Sequence, residues 1–302
     1  MPPTLHPESE GQQNAFGEQM AEIHSALKDA VGLLHHQGND REWKPAAGSP
    51  AALDLADTRW RSERNRPHSP MHWGYSVCQL RIVASADFLD ALADVVATWP
   101  PSAFAPSVLA RATIEASARA AWLLDRKVKR QDRASRMLAD RLAEEKERYQ
   151  VDRATGRSRV LEVVKVADAY GIELNVSPEG WPRSVVGVEY PKLGEIAPQV
   201  LPNGHESLAV WKSYANLSHG SPFSVLSRIE MTPDDDSPDS VGTIRVSLRD
   251  IASVSGTALY SFLHVLDLYG VRYGWNKSAR WERGVDALID RLKEFLSRHA
   301  TS

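Results

Sequence analysis

The chain has 302 residues, 42% of them hydrophobic and 25% charged, which is typical of a soluble globular protein with one large or two small domains. The formal net charge of −3 does not indicate a protein whose whole surface binds polyanions. The single cysteine, Cys78, excludes an internal disulfide, and its apolar helical surroundings predict a buried, inert thiol. The first residues lack the basic and apolar regions of a secretory signal, and no stretch approaches about 18 uninterrupted apolar residues. We therefore expect a cytoplasmic protein without a membrane partner.

The first part of the chain alternates polar segments with helices. Residues 1–15 are polar and contain Pro and Gly, which predicts a disordered tail before a single helical domain over 16–302. Apolar residues recur at helical spacing over 16–37. A linker rich in Pro, Gly, Ser and Arg follows over 39–70, and then a long helix over 71–99. Most of that helix is apolar except for one polar stripe, which consists of Asp87, Asp90 and Asp94.

Three further helices are predicted before the middle of the chain. They cover 103–126, 130–150 and 157–170, and the second is so highly charged, with a narrow apolar seam, that we expect it on the outside. Residues 174–205 contain five prolines, which predicts an irregular excursion. Such long loops in compact domains are often functional.

The last third is helical apart from one hairpin. A helix is predicted over 206–219, and two short alternating runs predict a β-hairpin with a solvated acidic loop over 223–248. The segment 251–275 is apolar almost all round, so we expect it at the centre, covered by an amphipathic helix over 279–298. The fold class predicted is all-α: a bundle of seven to eight helices with one small inserted β-hairpin.

A row of charges marks the otherwise apolar helix "RATIEASARAAWLLD". Arg111, Glu115 and Arg119 follow one another at intervals of four residues and share one face. One interpretation is a narrow solvent stripe in which Glu115 pairs with Arg119. Large apolar side chains, Trp122 among them, share this face, however, so the row could line a partly buried cleft. One arginine would then remain for a phosphate or carboxylate ligand.

The histidine in "WKSYANLSHGSPF" is the other candidate. His219 lies in the last turn of its predicted helix, where it either caps the helix end or, with nearby Lys212, Tyr214 and Ser218, performs acid–base chemistry. His264 fits a core histidine that bonds to a neighbour. None of the ten histidines stands at metal-ligand spacing within a predicted helix. The sequence also has no phosphate-binding loop and no dinucleotide-binding motif. We expect no metal and no cofactor.

Positive charge collects over residues 126–159. Twelve Lys or Arg and six Asp or Glu give this stretch 12 − 6 = +6, and the remainder of the chain carries −3 − 6 = −9. Such a stretch is either a solvated helix face or a footprint for RNA.

The pieces "RATIEASARAAWLLD" and "YANLSHGSP", with a charged helix and a Pro-rich excursion between them, resemble uncharacterised bacterial helical proteins related to the HEPN (higher eukaryote and prokaryote nucleotide-binding) superfamily. The resemblance covers about residues 70–275. It implies a dimeric helical bundle, and many members are ribonucleases of toxin or phage-defence systems. Their signature, an Arg and a His close together on one helix, is changed here, because Lys212 precedes His219 in the position of the Arg.

Two classes of function follow. The resemblance implies an RNA-directed enzyme in which His219 is the general acid or base, Arg111 or Arg119 steadies a phosphate and Glu115 orients the arginine. The alternative is a non-catalytic helical binding or regulatory module, or a small-molecule enzyme with a cavity in the bundle. The candidate binding residues in either case are Arg119, Lys212, Tyr214, Ser218 and Trp122.

Overall fold

A computed structural model describes residues 10–60, 69–98, 102–202, 208–218, 229–232, 241–244, 248–276, 283–291 and 294. Its helices are α1 (Glu10–Asp40), α2 (Pro50–Ala56), α3 (Pro70–Ala97), α4 (Ala105–Leu124), α5 (Arg130–Val151), α6 (Arg153–Tyr170), α7 (Leu193–Ile196), α8 (Leu208–Ser218), α9 (Leu248–Tyr273) and α10 (283–291). Two antiparallel hairpins pair β1 (Leu174–Val176) with β2 (Pro182–Val185), and β3 (Ile229–Thr232) with β4 (Val241–Ile244). This architecture confirms the all-α prediction and the late hairpin.

The helix ends follow local chemistry. Ser49 and Ser69 cap α2 and α3 by accepting from backbone N–H groups two or three residues on, and each is followed by a proline that suits the first helical turn. Asp152 separates α5 from α6 and accepts from the amides of the next first turn. Gly171 adopts φ 64° and ends α6 in the left-handed conformation that glycine tolerates best.

Helix α4 lies at the centre of the bundle. It packs against α3 on one side and α9 on another, and small residues along it allow the close approach. Between α3 and α4 the hydroxyls of Ser85 and Ser117 meet at 2.8 Å, and Ser85 also donates to the carbonyl of Thr113. Buried hydroxyls therefore find partners in each other and in the backbone.

Helix α1 covers the other side of α3 and explains its polar stripe. Asp87 and Asp94 are exposed, and Lys28 of α1 forms ion pairs with Asp90 at 2.8 Å and with Asp94 at 2.7 Å. The predicted wet stripe on this helix is confirmed.

The prediction that the charged helix lies outside is wrong. Helix α5 is packed between α3 and α6, and three of its charged side chains, those of Arg133, Asp140 and Glu145, are buried. Arg133 and Asp140 extend the apolar seam by helical spacing and have partners of opposite charge in neighbouring elements. Those partners are far away in the sequence. The charges of α5, taken alone, therefore predict an exposed helix, although pairing in the folded protein allows some of them to be buried.

Three segment predictions are corrected. Helix α1 begins at Glu10, within the predicted disordered tail, because residues 10–15 are mostly good helix formers that extend an existing helix. The linker over 39–70 contains α2, which Ser49 and its following proline initiate. The excursion over 174–205 contains the β1–β2 hairpin and α7, since its prolines stand at element starts and turns, where they cause no break.

Arginines surround the C-terminal end of α4. The last carbonyls of a helix lack intrahelical donors, and here guanidinium groups supply them. Arg136 donates to the carbonyl of Trp122 at 2.9 Å, and Arg272 of α9 donates to Leu124 at 3.1 Å. Arg133 donates to Leu123, Asp125 and Val128, at 3.4, 3.0 and 2.6 Å.

A buried carboxylate balances this group of cations. Asp54 of α2 is 4% exposed and lies 3.3 Å from the Nε of Arg133. It also accepts from Arg130 and from the hydroxyl of Tyr75, each at 2.6 Å. The short helix of the predicted linker thus supplies the countercharge for the centre of the bundle.

Helix α9 is a core helix. In the described part of the chain, one helix, Arg249–Tyr273, is long and apolar enough to cross a membrane by length and composition. The most apolar window of this helix is 67% buried inside the protein, as is typical of a core helix.

The thiol of Cys78 is fully buried on α3, and burial raises its pKa to about 12. We therefore expect no reaction between a thiol reagent and the native protein at mildly alkaline pH, because the reactive thiolate is both inaccessible and scarce. Labelling should reach one thiol per chain in guanidinium. Stoichiometric labelling of the folded protein would contradict the buried position.

Candidate functional site

The charged row of α4 is half-buried and used within the fold. Arg111 donates to Glu115 at 2.6 Å, and their side chains are 18% and 25% exposed, so the row is not a solvent stripe. Arg111 also donates to the carbonyl of Ala215 in α8, at 3.2 Å. Glu115 pairs with Arg111 rather than with Arg119, which corrects the pairing expected from helix order. This end of the row holds α8 against α4.

The other end of the row holds the excursion. Arg119 donates to the carbonyl of Pro191 at 2.8 Å, and its guanidinium lies 4.5 Å from the ring centre of Tyr190. The arginine that was expected to remain for an anionic ligand therefore fastens residues 190–191 to α4.

Tyr190 connects that contact to a buried ion cluster. Its hydroxyl donates to Oδ1 of Asp140 at 3.2 Å, and Arg81 of α3 donates to the same oxygen at 3.0 Å. Arg81 also bonds to Glu144 one turn further along α5. Asp140 has no exposed surface, and its Oδ2 has no hydrogen-bond partner among the residues that the structure describes. Burial raises the pKa of Asp140 and of Glu144, and Arg81 partly opposes both shifts.

Trp122 is the last member of the row and lines a cavity. Its ring is 6% exposed, meets the Tyr190 ring edge-on at 5.6 Å, and lies 5.2 Å from the guanidinium of Arg136. The cavity has a volume of about 580 Å³ between the α4–α5 corner and residues 186–189. We call it the Trp122 cavity. It is lined by Trp122, Asp125, Lys127, Val128, Asp132, Ser135, Arg136, Val186, Gly187, Val188 and Glu189.

Exposed side chains of both charges line the Trp122 cavity. Lys127, Asp132 and Glu189 are exposed, and none of the three forms an ion pair with any residue that the structure describes. Asp125 and Arg136, by contrast, approach each other at 3.5 Å. The arrangement can hold an ammonium group, a carboxylate and an apolar body at the same time.

The two described candidates on α8, Lys212 and Tyr214, lie on different sides of the helix. Lys212 is exposed and Tyr214 is buried, because a step of two residues on a helix is a rotation of about 200° and places them on nearly opposite sides. The side chain of Ser218 and the whole of His219 lie outside the described residues. Ala215, whose side chain carries no functional group, provides the α8 carbonyl that accepts from Arg111.

The basic stretch is largely paired. Of its twelve cations, seven form ion pairs within the protein: Arg126, Arg130, Arg133, Arg136, Arg141, Arg148 and Arg159. Lys146 donates to the backbone of the β1–β2 hairpin. Four exposed cations remain, Lys127, Lys129, Arg153 and Arg157. They stand before and after α5, whose 22 residues span about 33 Å.

Sequence reasoning missed Tyr190, Asp140 and Arg81. A signal existed for Asp140, which continues the spacing of Met137 and other seam residues of α5. A carboxylate in an apolar seam indicates a buried pair. No comparable signal marks Tyr190, because a single tyrosine in a Pro-rich segment has no periodicity.

Among the residues that the structure describes, no three His, Cys, Asp or Glu side chains are grouped to hold a metal ion. No protein-family model, curated protein or solved structure matches the chain. The resemblance to the HEPN superfamily therefore stays a prediction.

Proposed function

We propose that the chain is a non-catalytic helical binding module that takes a small zwitterionic molecule with an apolar body into the Trp122 cavity. The observation that carries this proposal is a cavity lined by a buried tryptophan and by exposed charges of both signs that form no ion pair with a described residue. Lys127 would bind the carboxylate of the ligand, and Asp132 and Glu189 its ammonium group.

Size and lining support a small ligand. The volume of about 580 Å³ lies within the roughly 300–1,000 Å³ of small-molecule sites. Trp122 and three valines supply apolar surface, and polar groups surround it. Trp122 is held firmly, because it is buried and touches both Tyr190 and Arg136.

The contacts of the charged row weigh against the RNA-directed alternative. Both arginines donate to backbone carbonyls of this chain, and the unpaired cations of the basic stretch stand in two separate groups. A nucleic-acid backbone is usually met by a continuous basic surface. A homodimer and a cytoplasmic location stay predictions from the sequence.

Calorimetric titration with a panel of apolar dipeptides tests the proposal. We expect binding of at least one free dipeptide, and an affinity at least about tenfold lower when its amine is acetylated or its carboxyl is amidated, since each change removes one charge-assisted contact. The double variant Asp132→Asn/Glu189→Gln should lose affinity by a similar factor. Asp87→Asn, which neutralises an exposed carboxylate on α3, is the matched control and should bind normally. A panel without any binder contradicts the proposal.

A parallel assay with total RNA separates the two classes of function. Under the binding-module proposal, the wild-type protein and His219→Ala leave RNA equally intact. RNA cleavage by the wild type that His219→Ala abolishes would establish the enzyme instead.

A further inference from the structure

We propose that Tyr190 and Asp140 form a latch, here called the Tyr190 latch, that holds one wall of the Trp122 cavity in place and couples ligand binding to the charge of Asp140. This inference rests on the proposed function, because it names the regulation of the same site. Tyr190 and Asp140 are positioning residues, since neither lines the Trp122 cavity.

The geometry places the latch directly beside the wall. Residues 186–189 form the wall, and Tyr190 is the next residue along the chain. Three contacts hold its side chain: the hydroxyl on Asp140, the ring beneath Arg119 and the ring edge against Trp122. Within the wall, Val186, Gly187 and Glu189 are exposed, whereas Val188 packs against the core and the amide of Val186 donates to the carbonyl of Glu173 at 2.9 Å. The β1–β2 hairpin therefore holds the start of the wall, and Tyr190 holds its other end.

Asp140 is the part of the latch whose state can change. It faces Arg81 of α3, Arg119 of α4, Glu144 of its own helix and Tyr190 of the excursion, and Cys78 of α3 also interacts with it electrostatically. The charged carboxylate accepts from the Tyr190 hydroxyl and attracts Arg119, whose backbone contact holds Pro191. Protonation of Asp140 removes its attraction for Arg119 and weakens the bond from Tyr190, which then reaches a neutral acceptor, so the docked wall is favoured by the ionised form.

The link between the charge of Asp140 and the position of the wall predicts how ligand affinity changes with pH. Burial raises the pKa of Asp140 above the ordinary range of aspartic acid, so the carboxyl takes up a proton while surface aspartates are still ionised. The wall should accordingly loosen, and ligand affinity fall, as the pH is lowered, before surface aspartates take up their protons.

Hydrogen–deuterium exchange of the ligand-free protein tests the latch without depending on ligand. In Tyr190→Phe, which keeps both ring contacts and removes the hydroxyl, protection factors of peptides over 186–190 should fall by about tenfold or more, because a bond to a buried charged acceptor is lost. Tyr149→Phe is the matched control. Its ring packs against Trp181 of the same excursion at 5.1 Å, and exchange over 186–190 should not change.

The charge of Asp140 is tested with Asp140→Asn, which keeps an acceptor oxygen. In the wild type, protection of 186–190 should fall as the pH is lowered from neutral, whereas the variant should already be weakly protected and respond less to pH. Unchanged exchange in Tyr190→Phe, or an equal pH response in Asp140→Asn, would overturn the latch. If both results appear and no dipeptide binds, the proposed ligand is wrong and the latch stands.

Discussion

Replacing Arg133 with methionine is expected to lower the free energy of unfolding by about 3–5 kcal/mol, the cost typical of breaking a buried charge network. Arg133 is 2% exposed and donates to three carbonyls around the end of α4. Methionine fills similar space but donates nothing. The carbonyls of Leu123 and Val128 would lose the guanidinium that satisfies them, and Asp54 would lose one of its two cationic partners.

Urea unfolding followed by circular dichroism measures this loss. Arg126→Ala is the matched control, because Arg126 forms its ion pair with Asp267 at the surface, where both side chains are about half exposed. Exposed pairs contribute about 0–1 kcal/mol, so the control should unfold close to the wild type. Similar urea midpoints for Arg133→Met and wild type would show that the carbonyls find other donors.

Gly156→Ala is expected to destabilise the protein by about 2 kcal/mol, although alanine is the better helix former. A Cβ atom at Gly156 would stand 2.3 Å from the Cα of Tyr149 and 2.6 Å from its backbone nitrogen. Backbone atoms cannot rotate away as a side chain can, so α5 and α6 would have to separate. The corner around Asp152 joins the two helices and leaves little freedom for that movement.

The same substitution elsewhere serves as the control. Gly32 lies inside α1, and a Cβ atom there meets nothing within 4 Å. Gly32→Ala should therefore raise the free energy of unfolding by up to about 1 kcal/mol. Opposite signs for the two variants in thermal melts would support the close approach of α5 and α6. Stabilisation by both substitutions would contradict it.

Much of the fold could be predicted because helical periodicity is local. The spacing of apolar residues places α3, α4 and α9 within a few residues of their observed bounds, and two alternating runs on either side of an acidic loop identify the β3–β4 hairpin. The β1–β2 hairpin could not be predicted in the same way. Its strands have three and four residues, too short for an alternating pattern to stand out among five prolines.

The candidate site was predictable only along one helix. The row from Arg111 to Trp122 was found because helical geometry assigns its members to one face. The partners of the row lie on α8, on the excursion and on α5, and which of them it meets is decided by tertiary packing. Arg119 illustrates this difference, because its face was predicted correctly while its contacts with Tyr190 and Pro191 carry no local signal.

The arginines around the end of α4 also bear on the choice of ligand. The aligned peptide dipoles of a 20-residue helix leave a partial negative charge at its C-terminus. That terminus opens beside Trp122 and Asp125, at the edge of the Trp122 cavity. Three guanidinium groups donate to carbonyls there, and their positive charge opposes that field. A carboxylate can consequently enter next to a helix end that would otherwise repel it, and this corner of the bundle is electrostatically open to anions as well as to cations.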